Sequence, residues 1–129
     1  MAVGLKEMIT EAQAAVQSLS PSEVKERLDR GEVNLVVDVR EPGEWEKGHV
    51  PDAVNMPRGL LELKADDASP VADPTLSGKR DAQIVVYCTK APGARSLFAA
   101  QTLARMGFTN VYAMSAGLDG WQEAGLPVE

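Results

Sequence analysis

Apolar positions near the N-terminus recur at helical spacing: Leu5, Met8, Ile9, Ala12 and Val16 share one face. This predicts an amphipathic helix that packs on the domain or serves as an interaction arm. A second helix is marked at both ends. Ser20-Pro21-Ser22-Glu23 sets a capping serine before a proline at the first helical position and a glutamate three residues on, and Gly31 supplies a stop, giving a helix over Pro21–Arg30. The pattern then changes character. Asn34–Val39 and Ile84–Cys88 are short apolar runs without polar alternation, as expected of strands covered on both faces. Ala53–Asn55 and Val111–Met114 read as two further strands, with Val33 as an extension of the first run. Helical spacing returns at Gly43–Lys47, Arg58–Lys64, Ala94–Met106 and Leu118–Ala124. Strands alternating with helices predict an α/β fold, a mainly parallel sheet with helices on both faces and ligands at its carboxyl edge. Asp66–Lys79, rich in Asp, Ser and Pro, predicts a long surface connection with about one helical turn. No internal repeat or inter-domain linker is visible.

Composition narrows the class. A chain of 129 residues, 44% hydrophobic and 25% charged, is an ordinary globular domain that needs no metal or disulfide staple. Its single cysteine excludes an internal disulfide. A net charge of −6 argues against a nucleic-acid partner, which calls for clustered Lys and Arg. A small anion responds instead to the local field of a pocket, so Lys90, Arg95 and a helix N-terminus could still attract one. The N-terminus lacks a basic segment followed by a sustained apolar one, and no run of about 18 apolar residues is present to span a bilayer. No membrane partner is expected, and a cytoplasmic location, where a lone thiol stays reduced, is.

The candidate chemistry centres on Cys88, which ends the run Ile84-Val85-Val86-Tyr87 and precedes Thr89-Lys90-Ala91-Pro92-Gly93-Ala94-Arg95-Ser96 and a helical pattern. A cysteine at a strand end is ordinarily a small buried hydrophobe. Here the glycine, the arginine and the helix start that follow are the components of an anion cradle, and free N–H groups and a positive dipole end favour the thiolate. Arg95 itself is out of place in a first helical turn on dipole grounds, a mismatch that points to an anionic partner.

A second cluster runs from Asp38 through Arg40, Glu44 and His49 to Pro57. His49 is the only histidine, and so the only candidate for a neutral-pH base by its ordinary pKa. The preferred reading is structural support, with Asp38, Arg40, Glu44 and His49 tying a loop together through charged hydrogen bonds. One cysteine and one histidine do not make a typical zinc site, there is no phosphate-loop signature, and neither metal nor organic cofactor is expected. Trp45 and Trp121 read as core anchors.

Three segments carry a family resemblance: Asp38-Val-Arg-Glu-Pro-Gly-Glu44 continuing to Gly48-His-Val-Pro51; Tyr87-Cys88 with Gly93-Ala-Arg95-Ser96; and Gly117-Leu-Asp-Gly-Trp121 before Gly125-Leu-Pro127. Together they resemble a single-domain rhodanese, a thiosulfate sulfurtransferase-like protein. The resemblance implies a three-layer α/β fold with a sheet of about five strands, an N-terminal helical extension over 1–18 and a rhodanese-like domain over 19–129. It further implies that Cys88 takes sulfane sulfur from a small anionic donor, thiosulfate or a low-molecular-weight persulfide, and passes it to a thiophilic acceptor, which could be a protein. Thr89, Lys90, Gly93, Ala94, Arg95 and Ser96 would bind the donor, and Arg58 is a candidate entrance residue.

Two departures bear on that reading. The family usually places four residues between cysteine and arginine, whereas six intervene here, an insertion of two around Ala91-Pro92. Ala116-Gly117 stands where a Gly-Gly pair is common, which matters if residue 116 needs a positive φ. Two other functions compete: a persulfide carrier or non-catalytic interaction module, and a cysteine-dependent phosphatase or arsenate reductase, whose loop has five residues and a histidine where Tyr87 stands.

Overall fold

A computed structural model describes residues 2–129. The chain runs α1 (Leu5–Ala15), β1 (Gln17–Leu19), α2 (Pro21–Asp29), β2 (Leu35–Asp38), α3 (Pro42–Glu46), β3 (Val54–Asn55), a 3-10 turn (Arg58–Leu60), α4 (Leu61–Ala65), β4 (Gln83–Tyr87), α5 (Ala94–Arg105), β5 (Asn110–Met114) and α6 (Gly117–Glu123). The predicted helices and strands are all present with small shifts at their ends. The strand β1 is the addition: two of its three residues are exposed, so it carried no apolar signal.

The five strands form one parallel sheet in the order β1-β5-β4-β2-β3. The unbroken apolar runs follow from its two covered faces. Along β4, Ile84 and Val86 join a core with Val37, Leu61, Leu97 and Leu103, while Val85 and Tyr87 join the opposite core with Val24, Leu118 and Trp121. Alternate residues of a strand point to opposite faces, so Ile84–Cys88 and Val36–Val39 are buried throughout. Ala12 of α1 is fully buried in the first core, which seats the N-terminal helix on the domain. The helix α2 begins as its sequence requires, with the Glu23 N–H donating to Ser20 Oγ at 3.1 Å and the Ser20 N–H to Glu23 Oε1 at 2.9 Å. The connection after α4 is built of turns and is anchored by the fully buried Leu76.

From β2 the chain proceeds to β3 at one edge, whereas from β4 it proceeds to β5 on the other side. The adjacent carboxyl ends of β2 and β4, where Asp38 pairs with Tyr87, are therefore the switch point of the sheet, the usual position of a ligand crevice in open α/β folds.

Candidate functional site

Beyond β2 and β4 the backbone must leave the sheet while two polar residues stay inside it. Asp38 is completely buried and Arg40 nearly so. Arg40 Nε and Nη2 donate to the Asp38 carboxylate at 3.0 and 2.8 Å, the Arg40 N–H adds a bond at 2.9 Å, and Nη2 reaches the Gly48 carbonyl at 2.7 Å. Burial opposes the charge on Arg40, but Asp38 outweighs it and the pKa lies above the ordinary arginine value. The Tyr87 hydroxyl donates to Asp38 Oδ2 at 2.7 Å and accepts from the Val50 N–H at 3.0 Å. Burial, with the Asp38 charge, raises the phenol pKa. The Asn55 amide completes the frame by donating to the carbonyls of Asp38 and Arg40. Neither Tyr87 nor Asn55 was predicted to take part, because the pairing of β2 with β4 and β3 is needed to bring them to Asp38.

His49 belongs to the neighbouring loop. Its Nδ1 lies 3.0 Å from the Trp45 carbonyl, its ring stacks on Trp45 at 4.0 Å, and its Nε2 is 3.6 Å from Glu129 Oε1. Its backbone exchanges hydrogen bonds with Glu129. Trp45 is thus a half-exposed stacking partner, whereas Trp121 is the buried anchor, with Nε1 donating to the Pro127 carbonyl.

Cys88 follows directly on β4 and is 3% exposed. The loop to α5 closes at Gly93, whose φ of 75° is the left-handed conformation that glycine adopts without steric cost. A β-carbon there would stand 3.1 Å from Ser96 Oγ and 3.7 Å from Cys88 Sγ. Ser96, also buried, donates to the Gly93 carbonyl at 3.0 Å and accepts from the Cys88 thiol at 3.5 Å. That bond ties the sulfur to the first turn of α5. Lys90 and Ala91 are exposed and the Ala91-Pro92 bond is cis. Ala94 opens the helix behind them.

The loop is held from below by α6. The Leu118 and Asp119 N–H groups donate to the carbonyls of Cys88 and Thr89 at 2.9 and 2.8 Å. Contact is so close that a β-carbon on Gly117 would fall 2.6 Å from Cys88 O and from Thr89 C. Ala116 has a φ of 62°, the condition under which its departure from Gly-Gly matters. Its methyl lies where a β-carbon on Gly120 would come within 2.4 Å, so Gly120 makes room for it.

Arg95 reaches α3. Nη1 and Nη2 donate to Glu44 Oε1 and Oε2 at 2.7 and 3.2 Å, and Nη2 also to Thr89 Oγ1 at 3.0 Å. Glu44 sits in the first turn of α3, where its Oε1 also accepts the Glu41 N–H. Chiefly because of Arg95, the Glu44 carboxyl is lowered to about 2. Arg95 is raised above the ordinary arginine value, first by Glu44 and further by the nearby Cys88. The structure therefore places Glu44 at the Cys88 loop, apart from the bonds that join Asp38, Arg40 and Gly48. The misplaced cation in the first turn of α5 was the one sequence signal for this carboxylate. Arg58 is bonded elsewhere, to Glu62 at 2.8 Å and to Thr102 on α5 at 2.9 Å.

A lone thiol, a left-handed glycine and an arginine at a sheet switch point form a compact site for chemistry on sulfur or on a small anion. No group of metal-ligating side chains occurs among the described residues. None of the described helices is long and apolar enough to cross a membrane.

Comparison with known proteins agrees with this geometry. A sulfurtransferase of Allochromatium vinosum is 29% identical over 88% of this chain and 94% of its own length. A candidate sulfur carrier protein of Bacillus subtilis is also 29% identical over 87% of this chain, which spans only 54% of that relative. Among solved structures, a Rhodopseudomonas palustris protein of unknown function, described as a possible tyrosine phosphatase, superposes with a TM-score of 0.90 at 33% identity, covering 100% of this chain and 96% of that one. The model of the Rhodanese-like domain matches residues 20–124, from the cap of α2 to the end of α6, and so the chain belongs to the rhodanese-like family.

Proposed function

We propose that the protein is a sulfurtransferase that moves sulfane sulfur from a thiosulfate or persulfide donor to a thiophilic acceptor through a persulfide on Cys88. The observation that carries this reading is the position of the only cysteine, buried at the carboxyl end of β4 in a loop closed by Gly93 and Ser96. Attack of a thiolate on sulfur needs ionisation and alignment, and no separate base, which suits a site without histidine. The Cys88 thiolate forms a bond to the outer sulfur of the donor, the donor sulfur bond breaks, and the leaving group takes the bonding pair. The acceptor then attacks the outer sulfur of the persulfide and restores the thiolate. Ser96 is placed to turn its hydroxyl from the Gly93 carbonyl to the sulfur as negative charge collects there. Sulfurtransferase and sulfur-carrier relatives support this chemistry, and a carrier would use the same persulfide with a protein acceptor.

Incubation with a donor is expected to raise the intact mass by about 32 Da, one sulfur atom. Cys88→Ser is expected to show no gain and to lose transfer to cyanide by at least about a thousandfold. Retained transfer would refute the assignment. The similarity to a possible tyrosine phosphatase favours a second reading, phosphate-ester hydrolysis at the same thiol. It would be chosen if Cys88→Ser abolished hydrolysis of p-nitrophenyl phosphate and no sulfur adduct formed.

A further inference from the structure

The cation that opens α5 is already committed. Arg95 gives both terminal nitrogens to Glu44, and Thr89 accepts from Arg95 while donating to Glu44 at 3.3 Å. Guanidinium, hydroxyl and carboxylate thus close a ring beside the Cys88 loop, and the charges of that ring cancel. Arg40, close enough to act on Arg95 electrostatically, is bonded to Asp38 and Gly48. Lys90 is exposed and has no side-chain partner among the described residues. The cleft it borders, about 280 Å³ between the loop and α6, also carries Asp119 and Glu123. The side-chain cations at the loop are thus either matched by a carboxylate, as Arg95 and Arg40 are, or exposed to solvent, as Lys90 is.

We propose that Glu44 sets the charge class of the sulfur donor: by neutralising Arg95 it directs Cys88 toward persulfides of small thiols and away from dianionic thiosulfate. This rests on the reading of Cys88 as the sulfur-accepting thiol. With a hydropersulfide, the Cys88 thiolate bonds to the outer sulfur, the proton stays on that sulfur, and the departing thiolate carries a single charge. With thiosulfate the same exchange releases sulfite, so two charges must be brought to a sulfur that is 3% exposed and then carried away. Removing such charge from water is costly unless a fixed cation compensates it. Glu44 has taken that cation. Its place in α3 secures the arrangement, because the same carboxylate accepts the Glu41 N–H that starts the helix.

The test compares the persulfide of β-mercaptoethanol with thiosulfate as donors to cyanide, in the intact protein and in Glu44→Gln and Glu44→Asp. In the unaltered protein the persulfide is expected to exceed thiosulfate in kcat/KM by about a hundredfold. Glu44→Gln is expected to raise the thiosulfate-to-persulfide ratio by about tenfold, through a lower KM for thiosulfate and with a gain that shrinks on adding salt. Glu44→Asp is expected to keep the ratio near its original value. Equal use of both donors by the unaltered protein, or an unchanged ratio in Glu44→Gln, would overturn the proposal. A parallel loss for both donors in that variant would do so too, since it marks a purely structural role. The mass readout separates this failure from that of the parent reading: a sulfur adduct on Cys88 with no donor preference sinks only the role of Glu44, whereas no adduct from either donor sinks both.

Discussion

The Tyr87 hydroxyl does two jobs at once. It satisfies a buried carboxylate oxygen of Asp38 and gives the Val50 N–H an acceptor. Removing it strands the Val50 N–H away from water, while Asp38 Oδ2 keeps its bonds from Arg40, and a stranded group costs about 1–3 kcal/mol. Tyr87→Phe is expected to lower the unfolding free energy by about 2 kcal/mol, read as a fall in the urea midpoint with an unchanged m-value. The phenol carries no charge to the site, so the cost should appear in stability. At this scale the sequence reveals residue types without their partners. Asp38 and Arg40 are two apart and could be paired on sight, but Glu44 and Arg95 are 51 apart and Tyr87 and Asp38 are 49 apart. Those contacts exist only because β2 lies beside β4.

Among the elements, α6 acts as a floor for the Cys88 loop. Two of its first N–H groups, which every helix leaves without intrahelical partners, are satisfied by the carbonyls of Cys88 and Thr89. Gly117→Ala would drive a methyl into that backbone at 2.6 Å and impose a φ of 55° on a residue with a β-carbon. The expected outcome is a loss of about 2–4 kcal/mol together with a changed rate of Cys88 alkylation by iodoacetamide, because the loop must move for the helix to survive. Unchanged stability and an unchanged alkylation rate would mean that the seam is looser than drawn. The sequence marked both halves of this seam, Cys88 as a strand end and Leu118, next to Gly117, as a helix start. Their contact was not legible, since it joins elements separated by the whole of α5 and β5.

For the molecule as a whole, the layered fold could be read in advance because burial on both faces of a parallel sheet leaves unbroken apolar runs at β2 and β4. The order of the strands could not, because nothing in those runs says which neighbours pair. Order decides the site: with β2 beside β4, Glu44 from the loop after one meets Arg95 from the loop after the other. That union is pH-dependent. A carboxyl held at about 2 in the fold, below its ordinary value near 4.3, contributes stability that is complete above the ordinary value and disappears as pH falls through about 2. The stability difference between the intact protein and Glu44→Gln is therefore expected to be constant from neutral pH to about 5 and to vanish toward pH 2, followed by urea unfolding at each pH. A constant difference down to pH 2 would show that Glu44 acts without its charge.

The solitude of Cys88 has a consequence of its own. Within these 129 residues there is no second thiol to expel the sulfur as an internal disulfide, and the thiol that would carry it is almost closed to solvent. On the sulfur-transfer reading, the loaded state is a waiting state whose lifetime is set by whoever arrives to collect it. Two copies could not easily discharge each other, because two buried sulfurs do not meet. The protein would then keep an otherwise labile sulfur atom in reserve, released only to a nucleophile slender enough to reach past the loop.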